Sequence, residues 1–250
     1  MTAELRSATV IRGRKAILDT ASFACEAGKF TAFCGPNGAG KTTALSVLTG
    51  ALKPESGSAH LEGHAVGSVK PIVLAKRRAV VSQVSQLAFP FLVHEVVAMG
   101  RAPHYGTAGQ LRDDDIIRDA MGLMELMPFA ERNYLTLSGG ERQRANIARA
   151  LAQVWDPPED GGSRWLFLDE PTAALDLKYQ IALMHRLGDL AADGWGVVAV
   201  LHDLQLVKDH ADRVVMFKDG KVAGIGAAGE MLVPDRIQTA FDLDAPYALA

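Results

Sequence analysis

Gly35-Pro36-Asn37-Gly38-Ala39-Gly40-Lys41-Thr42 constrains the fold more than any other stretch of the chain. Its spacing, G-x-x-x-x-G-K-[ST], requires a strand before it and a helix after it. Both are legible. Phe30, Ala32, Phe33 and Cys34 read as a buried strand, and Leu45, Leu48 and Leu52 fall on one face of a helix. The glycines let the backbone close around phosphate oxygens. The helix N-terminus turns unpaired N–H groups and a partial positive charge to the same place. In that setting Lys41 reaches the β- and γ-phosphates of a nucleotide and Thr42 offers its hydroxyl to Mg²⁺. Such loops serve kinases, GTPases, helicases and transporters alike, so the loop implies a ligand and leaves the activity open.

The rest of the chain surrounds this loop with alternating strands and helices. Residues 3–34 suggest short strands with turns at Gly13 and at Glu26-Ala27-Gly28-Lys29, and Ser58–Glu62 adds another strand. Together these suggest an antiparallel sheet beside the loop's strand. Residues 77–83 read as a strand ending in polar residues. Residues 91–152 are mostly helical in pattern, with a helix over 93–99 and another over 113–127. The latter opens on Asp113, Asp114 and Asp115 and stops at Pro128. Trp165–Leu168 and Val197–Leu201 are short apolar runs fit for buried parallel strands. A helix marked by Leu177, Ile181, Met184 and Leu187 lies between them. Val214–Phe217 and Val222–Ile225 flank an Asp219-Gly220 turn and predict a hairpin. The expected fold is therefore α/β: a mostly parallel sheet, an antiparallel β subdomain and an inserted helical subdomain.

Composition narrows the class. The chain has 250 residues, 48% of them hydrophobic, and a net charge of -3 without a long basic block, which argues against a non-specific nucleic-acid binder. Cys25 and Cys34 each lie among apolar residues with no CxxC spacing. They read as buried free thiols in a reducing compartment. His60 and His64 have no carboxylate or cysteine to complete a metal site. The chain start does not resemble a signal peptide, and no apolar stretch reaches the ~20 residues of a membrane helix. The expectation is a cytosolic chain that spans no membrane.

Two further stretches carry chemistry. Leu168-Asp169-Glu170 closes the Trp165 strand, and two carboxylates at the end of a buried strand are costly without a task. Alone they fit a helix cap or a solvated loop end equally well. Beside the loop, Asp169 suits a role in holding Mg²⁺, usually through water, and Glu170 suits the orientation and deprotonation of an attacking water. Leu137-Ser138-Gly139-Gly140-Glu141-Arg142-Gln143 leads straight into a helix with Ala145, Ala148, Leu151 and Ala152 on one face. It is a second helix N-terminus suited to phosphate, which makes sense if it faces a γ-phosphate held by another copy of the chain. The alternative is an ordinary Ser N-cap followed by glycines.

With these residues the sequence resembles the ATP-binding subunits of ABC transporters, over nearly its whole length. Leu137–Gln143 is similar to their signature motif. The resemblance implies that Gln83 senses Mg²⁺ and a membrane partner. It implies that Asp176, in Ala174-Leu175-Asp176, lies in a dimer-contacting loop, and that His202 touches the γ-phosphate. Leu87-Ala88-Phe89-Pro90-Phe91 and Val96–Arg101 resemble the class that serves importers of haem, ferric siderophores and cobalamin. The insertion Trp155–Gly161 is similar to that of haemin-import subunits. Family members usually carry an aromatic residue near the chain start that stacks on adenine. Here the matching residues are Ala8–Arg12, where Val10 or Ile11 remains to cover the base.

The resemblance implies a homodimer with two ATP·Mg²⁺ sandwiched between subunits. One chain would supply Gly35 to Thr43 (Gly35, Pro36, Asn37, Gly38, Ala39, Gly40, Lys41, Thr42, Thr43) with Gln83, Asp169, Glu170 and His202. The other would supply Ser138, Gly139, Gly140, Glu141 and Asp176. Lys41, Gln83, Glu170 and His202 would carry catalysis, and Thr42, Gln83 and Asp169 the metal. The whole chain would be one ATPase domain, with residues 1–83 and 153–250 as the α/β core and 84–152 as the helical subdomain. The implied partners are a dimeric permease in the membrane, contacted near Gln83 to Arg101, and indirectly an extracytoplasmic haem-binding protein, with no nucleic acid. The implied place is the cytoplasmic face of the bacterial inner membrane. Ferric siderophores and cobalamin are alternative cargoes. Related ATPases in DNA maintenance or translation fit less well: the 84–152 insertion lacks coiled-coil heptads and the chain has one ATPase half.

Overall fold

The computed structural model of the chain describes residues 1–82 and 87–249. Gln83 therefore lies outside the described residues. The chain divides into two compact units, Met1–Val69 with Ile181–Ala250, and Lys70–Gln180. In chain order the first elements are β1 (Thr2–Arg12), β2 (Lys15–Glu26), β3 (Phe30–Cys34), α1 (Lys41–Leu48), β4 (Ser56–Leu61) and β5 (His64–Ala65). Next come α2 (Pro71–Ala75), β6 (Arg78–Val81), α3 (Val93–Ala98), α4 (Asp113–Leu123), α5 (Gly139–Gln153), β7 (Trp165–Asp169) and α6 (Leu177–Ala192). The chain closes with β8 (Gly196–Val200), α7 (Leu204–His210), β9 (Arg213–Lys218), β10 (Lys221–Ala227), α8 (Ala228–Met231) and α9 (Pro234–Phe241).

In the first unit, β2, β1, β4 and β5 form an antiparallel sheet in that order. The β1–β2 ladder runs from Thr2 opposite Glu26 to Arg12 opposite Lys15 and is longer than the short strands expected. Positive φ values at Ser7 (48°) and Thr20 (50°) mark irregularities inside it. Turn-like polar residues at these points are absorbed as bulges instead of ending the strands. A second ladder has β8 and β9 parallel to β3 on its two sides, and β10 as the outer half of a hairpin. Asp219 (φ 50°) and Gly220 (φ 78°) supply the two left-handed residues that a tight hairpin turn needs. Every residue of β3 and β8 is buried. Phe33 meets Phe23 and Phe217 with ring centroids 5.2 Å apart in each case. Burying one such side chain contributes ~2–3 kcal/mol. This packing holds the end of β3, where the Gly35 loop begins. The helix that follows stops at Leu48, and the left-handed Gly50 (φ 78°) leaves Leu52 outside it.

In the second unit, β6 and β7 run parallel, pairing Arg78 with Trp165 through Val81 with Leu168. Helices α3, α4 and α5 pack on one another. Helix α4 is one turn shorter than the 113–127 expected. Glu125 is left-handed (φ 53°), Glu125 N–H donates to Gly122 O (3.1 Å) and Leu126 N–H to Met121 O (2.9 Å). That pair of bonds is a Schellman closure. It ends the helix before Pro128 and leaves Met127 46% exposed, while Met121 and Met124 are buried. Arg101 is 1% exposed and is bound on three sides. Its Nε donates to Asp113 Oδ1 (2.7 Å), Nη1 to Ala152 O (2.7 Å) and Nη2 to Asp156 Oδ2 (3.1 Å). Arg101 ends the stretch expected near a permease, and its own side chain is turned inward, where it holds Asp156. Phe89, 68% exposed, remains on the surface. No described helix is long and apolar enough to cross a membrane.

Candidate nucleotide-binding site

The loop from Gly35 to Gly40 follows β3 directly, and its backbone is one that only glycine accepts at two key points. Gly35 has φ 140°, and a Cβ there would lie 2.1 Å from Phe217 O. Gly40 has φ 98°, and a Cβ there would lie 2.7 Å from Ile17 O. Gly40 is also the N-cap of α1 and gives it no side-chain cap. The start of α1 is thus presented by bare backbone, as an anion cradle requires. Lys41 is only 5% exposed, and its Nζ donates to Gly35 O (2.7 Å) and Pro36 O (2.9 Å). An ammonium group is therefore held at the mouth of the loop by two of its own carbonyls. Burial pushes the Cys34 thiol, next to the loop, up to about 12, so it stays protonated.

His202 belongs to the same edge. Phe33 of β3 pairs with Val200 of β8 in parallel register, and Leu201 N–H donates to Phe33 O (3.2 Å). Gly35 and His202 each lie two residues beyond that pair. They leave the carboxyl ends of neighbouring parallel strands, where α/β sheets bind ligands. Asp203 caps α7 by accepting from Gln205 N–H (2.9 Å) and Leu206 N–H (3.0 Å), which fixes the chain just after the histidine.

In the second unit, Asp169 ends β7 and is 6% exposed. Glu170 follows with φ 51°. A left-handed glutamate costs of order 1–3 kcal/mol and is characteristic of a backbone held for a task. Ser138 and Glu141 form a reciprocal cap at the start of α5. Glu141 N–H donates to Ser138 Oγ (3.2 Å) and Ser138 N–H to Glu141 Oε2 (2.7 Å). That backbone N–H, first among several causes, holds the Glu141 carboxyl below its ordinary value. The N-cap reading of Ser138 is thus realised. Ser138 and Gly139 nevertheless remain exposed. A Cβ on Gly140 would lie 3.1 Å from Ala174 O, so the signature turn packs on the Ala174-Leu175 segment. Asp176 Oδ1 accepts from Tyr179 N–H (3.1 Å) and caps α6. Sequence reasoning missed Arg144. This buried guanidinium lies 4.2 Å from the Tyr179 ring centre and donates to Met124 O (3.1 Å) and Glu125 O (3.2 Å). It ties α5 to the segments on both sides. No described group of three or more His, Cys, Asp or Glu is arranged to hold a metal, and His60 Nε2 is instead 2.9 Å from Ser58 Oγ.

A strand, a loop whose Gly35 and Gly40 admit no side chain, and an uncapped helix start with a buried lysine define a P-loop nucleotide-binding protein. Comparison with known proteins narrows the class. The chain belongs to the ABC transporter family, whose profile matches residues 18–173, and it is an ATP-hydrolysing subunit of that family. It is 39% identical over 239 residues to the "Hemin import ATP-binding protein HmuV" of Bartonella quintana, covering 96% of this chain and 90% of that one. The protein of the same name from Gloeobacter violaceus is 46% identical over 217 residues, covering 86% and 78%. Among solved structures, a bacterial ABC transporter cassette determined as a dimer superposes with a TM-score of 0.78 at 27% identity, covering 90% of this chain and 98% of that one.

Proposed function

We propose that this chain is the ATP-hydrolysing subunit of a haem importer. The observation that carries the cargo is the 39% identity to a hemin-import ATP-binding protein across 96% of this chain and 90% of that relative. In this reading two copies of the chain enclose two ATP molecules and engage a dimeric membrane permease from the cytoplasmic face of the inner membrane. An extracytoplasmic haem-binding protein delivers the cargo. Residues 84–152 act as the helical subdomain and the remainder as the nucleotide-binding core.

The roles follow from chemistry. The backbone of Gly35 to Thr43 and the Lys41 ammonium hold the phosphates. Mg²⁺, which neutralises charge developing on the phosphoryl oxygens, suits the donor set of Thr42 hydroxyl, Gln83 amide and Asp169 carboxylate, the last through water. Glu170 orients and deprotonates the attacking water. His202 donates to the γ-phosphate. Ser138, Gly139, Gly140 and Glu141, with Asp176, act from the partner copy, for which the exposed Ser138 and Gly139 leave room. Positioning and charge stabilisation account for most of the rate. The test is ATP turnover of the reconstituted transporter with each loaded binding protein. Stimulation by the haem-loaded protein is expected. Stimulation by a siderophore-loaded protein alone would overturn the cargo and leave the ATPase assignment intact.

A further inference from the structure

A nucleotide whose phosphates lie in the Gly35–Thr42 cradle needs a partner for its base, and the first unit supplies one on β1. The close approach of Gly40 to Ile17 O brings the start of α1 against β2. Gly220 N–H donates to Ala39 O (3.2 Å), and Asp19 N–H donates to Gly220 O (2.8 Å). The phosphate end of α1 is thereby tied to the far part of the β1–β2 hairpin, whose tip is Arg12, Gly13 (φ 64°), Arg14 and Lys15.

Strand parity selects the residue. The pairs Ala8–Ala21, Val10–Leu18 and Ile11–Ala16 show that the extra residues of the bulges belong to β2. β1 therefore alternates regularly from Ala8 to Arg12. Ala8 and Val10 are 0% and 2% exposed, on the buried side of a strand that packs on α1. Arg12 shares their parity and emerges at the hairpin tip, opposite Lys15 and two residues along β2 from Ile17, whose carbonyl lies against Gly40. Of the two apolar side chains expected from the sequence, Val10 is buried and Ile11, 46% exposed, lies on the opposite face of the strand. Arg12 is exposed, and its side chain makes no hydrogen bond or ion pair among the described residues.

We propose that Arg12 stacks its guanidinium on the base of the bound nucleotide and that the site consequently tolerates different purines. This rests on the reading of the Gly35–Thr42 loop as the phosphate cradle. A planar, weakly hydrated guanidinium stacks on any aromatic face and reads no edge of it. Exposed cation–π contacts are weak, so the base adds modestly to an affinity dominated by the phosphates.

The experiment is calorimetric titration of the full chain with ATP, GTP and inorganic tripolyphosphate, for the wild type, Arg12→Ala, Arg12→Lys and Arg14→Ala. Wild-type ATP and GTP affinities are expected within about threefold of each other. Arg12→Ala should weaken both nucleotides roughly three- to tenfold and leave tripolyphosphate unchanged. Arg12→Lys should resemble Arg12→Ala, because lysine keeps the charge and loses the plane, and Arg14→Ala should bind like the wild type. Four results would each overturn the proposal: Arg12→Lys binding like the wild type, Arg12→Ala weakening tripolyphosphate as much as ATP, Arg12→Ala binding ATP normally, or GTP binding more than about tenfold weaker than ATP. Failure of the cradle itself reads differently: the wild type would not bind tripolyphosphate, and both ideas would fall together.

Discussion

Replacing Ser138 separates two jobs that one hydroxyl performs. Within its own chain Ser138 caps α5, accepting from Glu141 N–H at 3.2 Å while Glu141 accepts from Ser138 N–H at 2.7 Å. Loss of a Ser cap to Ala costs ~1 kcal/mol. For a chain of this length that corresponds to a fall in Tm of about 2–4 °C. In the proposed dimer the same hydroxyl meets the γ-phosphate of the facing copy. Ser138→Asp separates the two effects. Aspartate caps a helix as well as serine does and suits a helix N-terminus, but it places a negative charge against phosphate. Melting followed by circular dichroism reads the cap. Sedimentation of the ATP-bound protein, with turnover blocked by Glu170→Gln, reads dimerisation. Ser138→Ala should melt lower, Ser138→Asp should melt within about 1 °C of the parent, and neither should dimerise with ATP. A Ser138→Asp protein that still dimerises would refute the phosphate contact. An unchanged Tm in Ser138→Ala would refute the cap.

Gly35→Ala places a Cβ 2.1 Å from Phe217 O in a backbone of φ 140°. It is expected to destabilise the chain by about 2–5 kcal/mol in urea unfolding and to abolish ATP binding. Below its ordinary pKa, stability should depend on His104. Burial, more than the nearby Arg101 and Lys76 cations, lowers its folded pKa below 6.5, so the neutral ring is the native form. The unfolded chain takes up the proton first as pH falls. The contribution is therefore complete above 6.5 and is lost as pH drops from there to the folded pKa. Tm measured across that window should fall with pH, less steeply in His104→Gln. His210 acts in the same direction through burial and its contact with His185.

Much of this architecture is legible in the sequence because local chemistry and fold agree. Trp165–Leu168 and Val197–Val200 are apolar throughout, and Phe30–Cys34 apart from Thr31, because their strands are buried along their length. Gly35 and Gly40 stand where no Cβ fits. The features that escaped depend on distant partners. Glu125 terminates α4 through bonds to Gly122 and Met121, which no single residue announces. Arg101 and Arg144 are both buried because carboxylates and carbonyls from remote segments meet them, which no local pattern announces. The bulges that keep β1 and β2 paired past Ser7 and Thr20 look like turns in one dimension. They also set the parity of Val10, Ile11 and Arg12 on β1, so the proposed base-binding end was the part least open to sequence reasoning.

Steady-state ATP turnover of Glu170→Gln, measured beside ATP binding by the same protein, tests the ATPase account most directly. Glu170 follows the buried Asp169 in a left-handed backbone (φ 51°), and the account makes it the base for the attacking water. Turnover should fall by about 10²–10⁴ while ATP binding and ATP-driven dimerisation persist. Turnover within a fewfold of the wild type would contradict it.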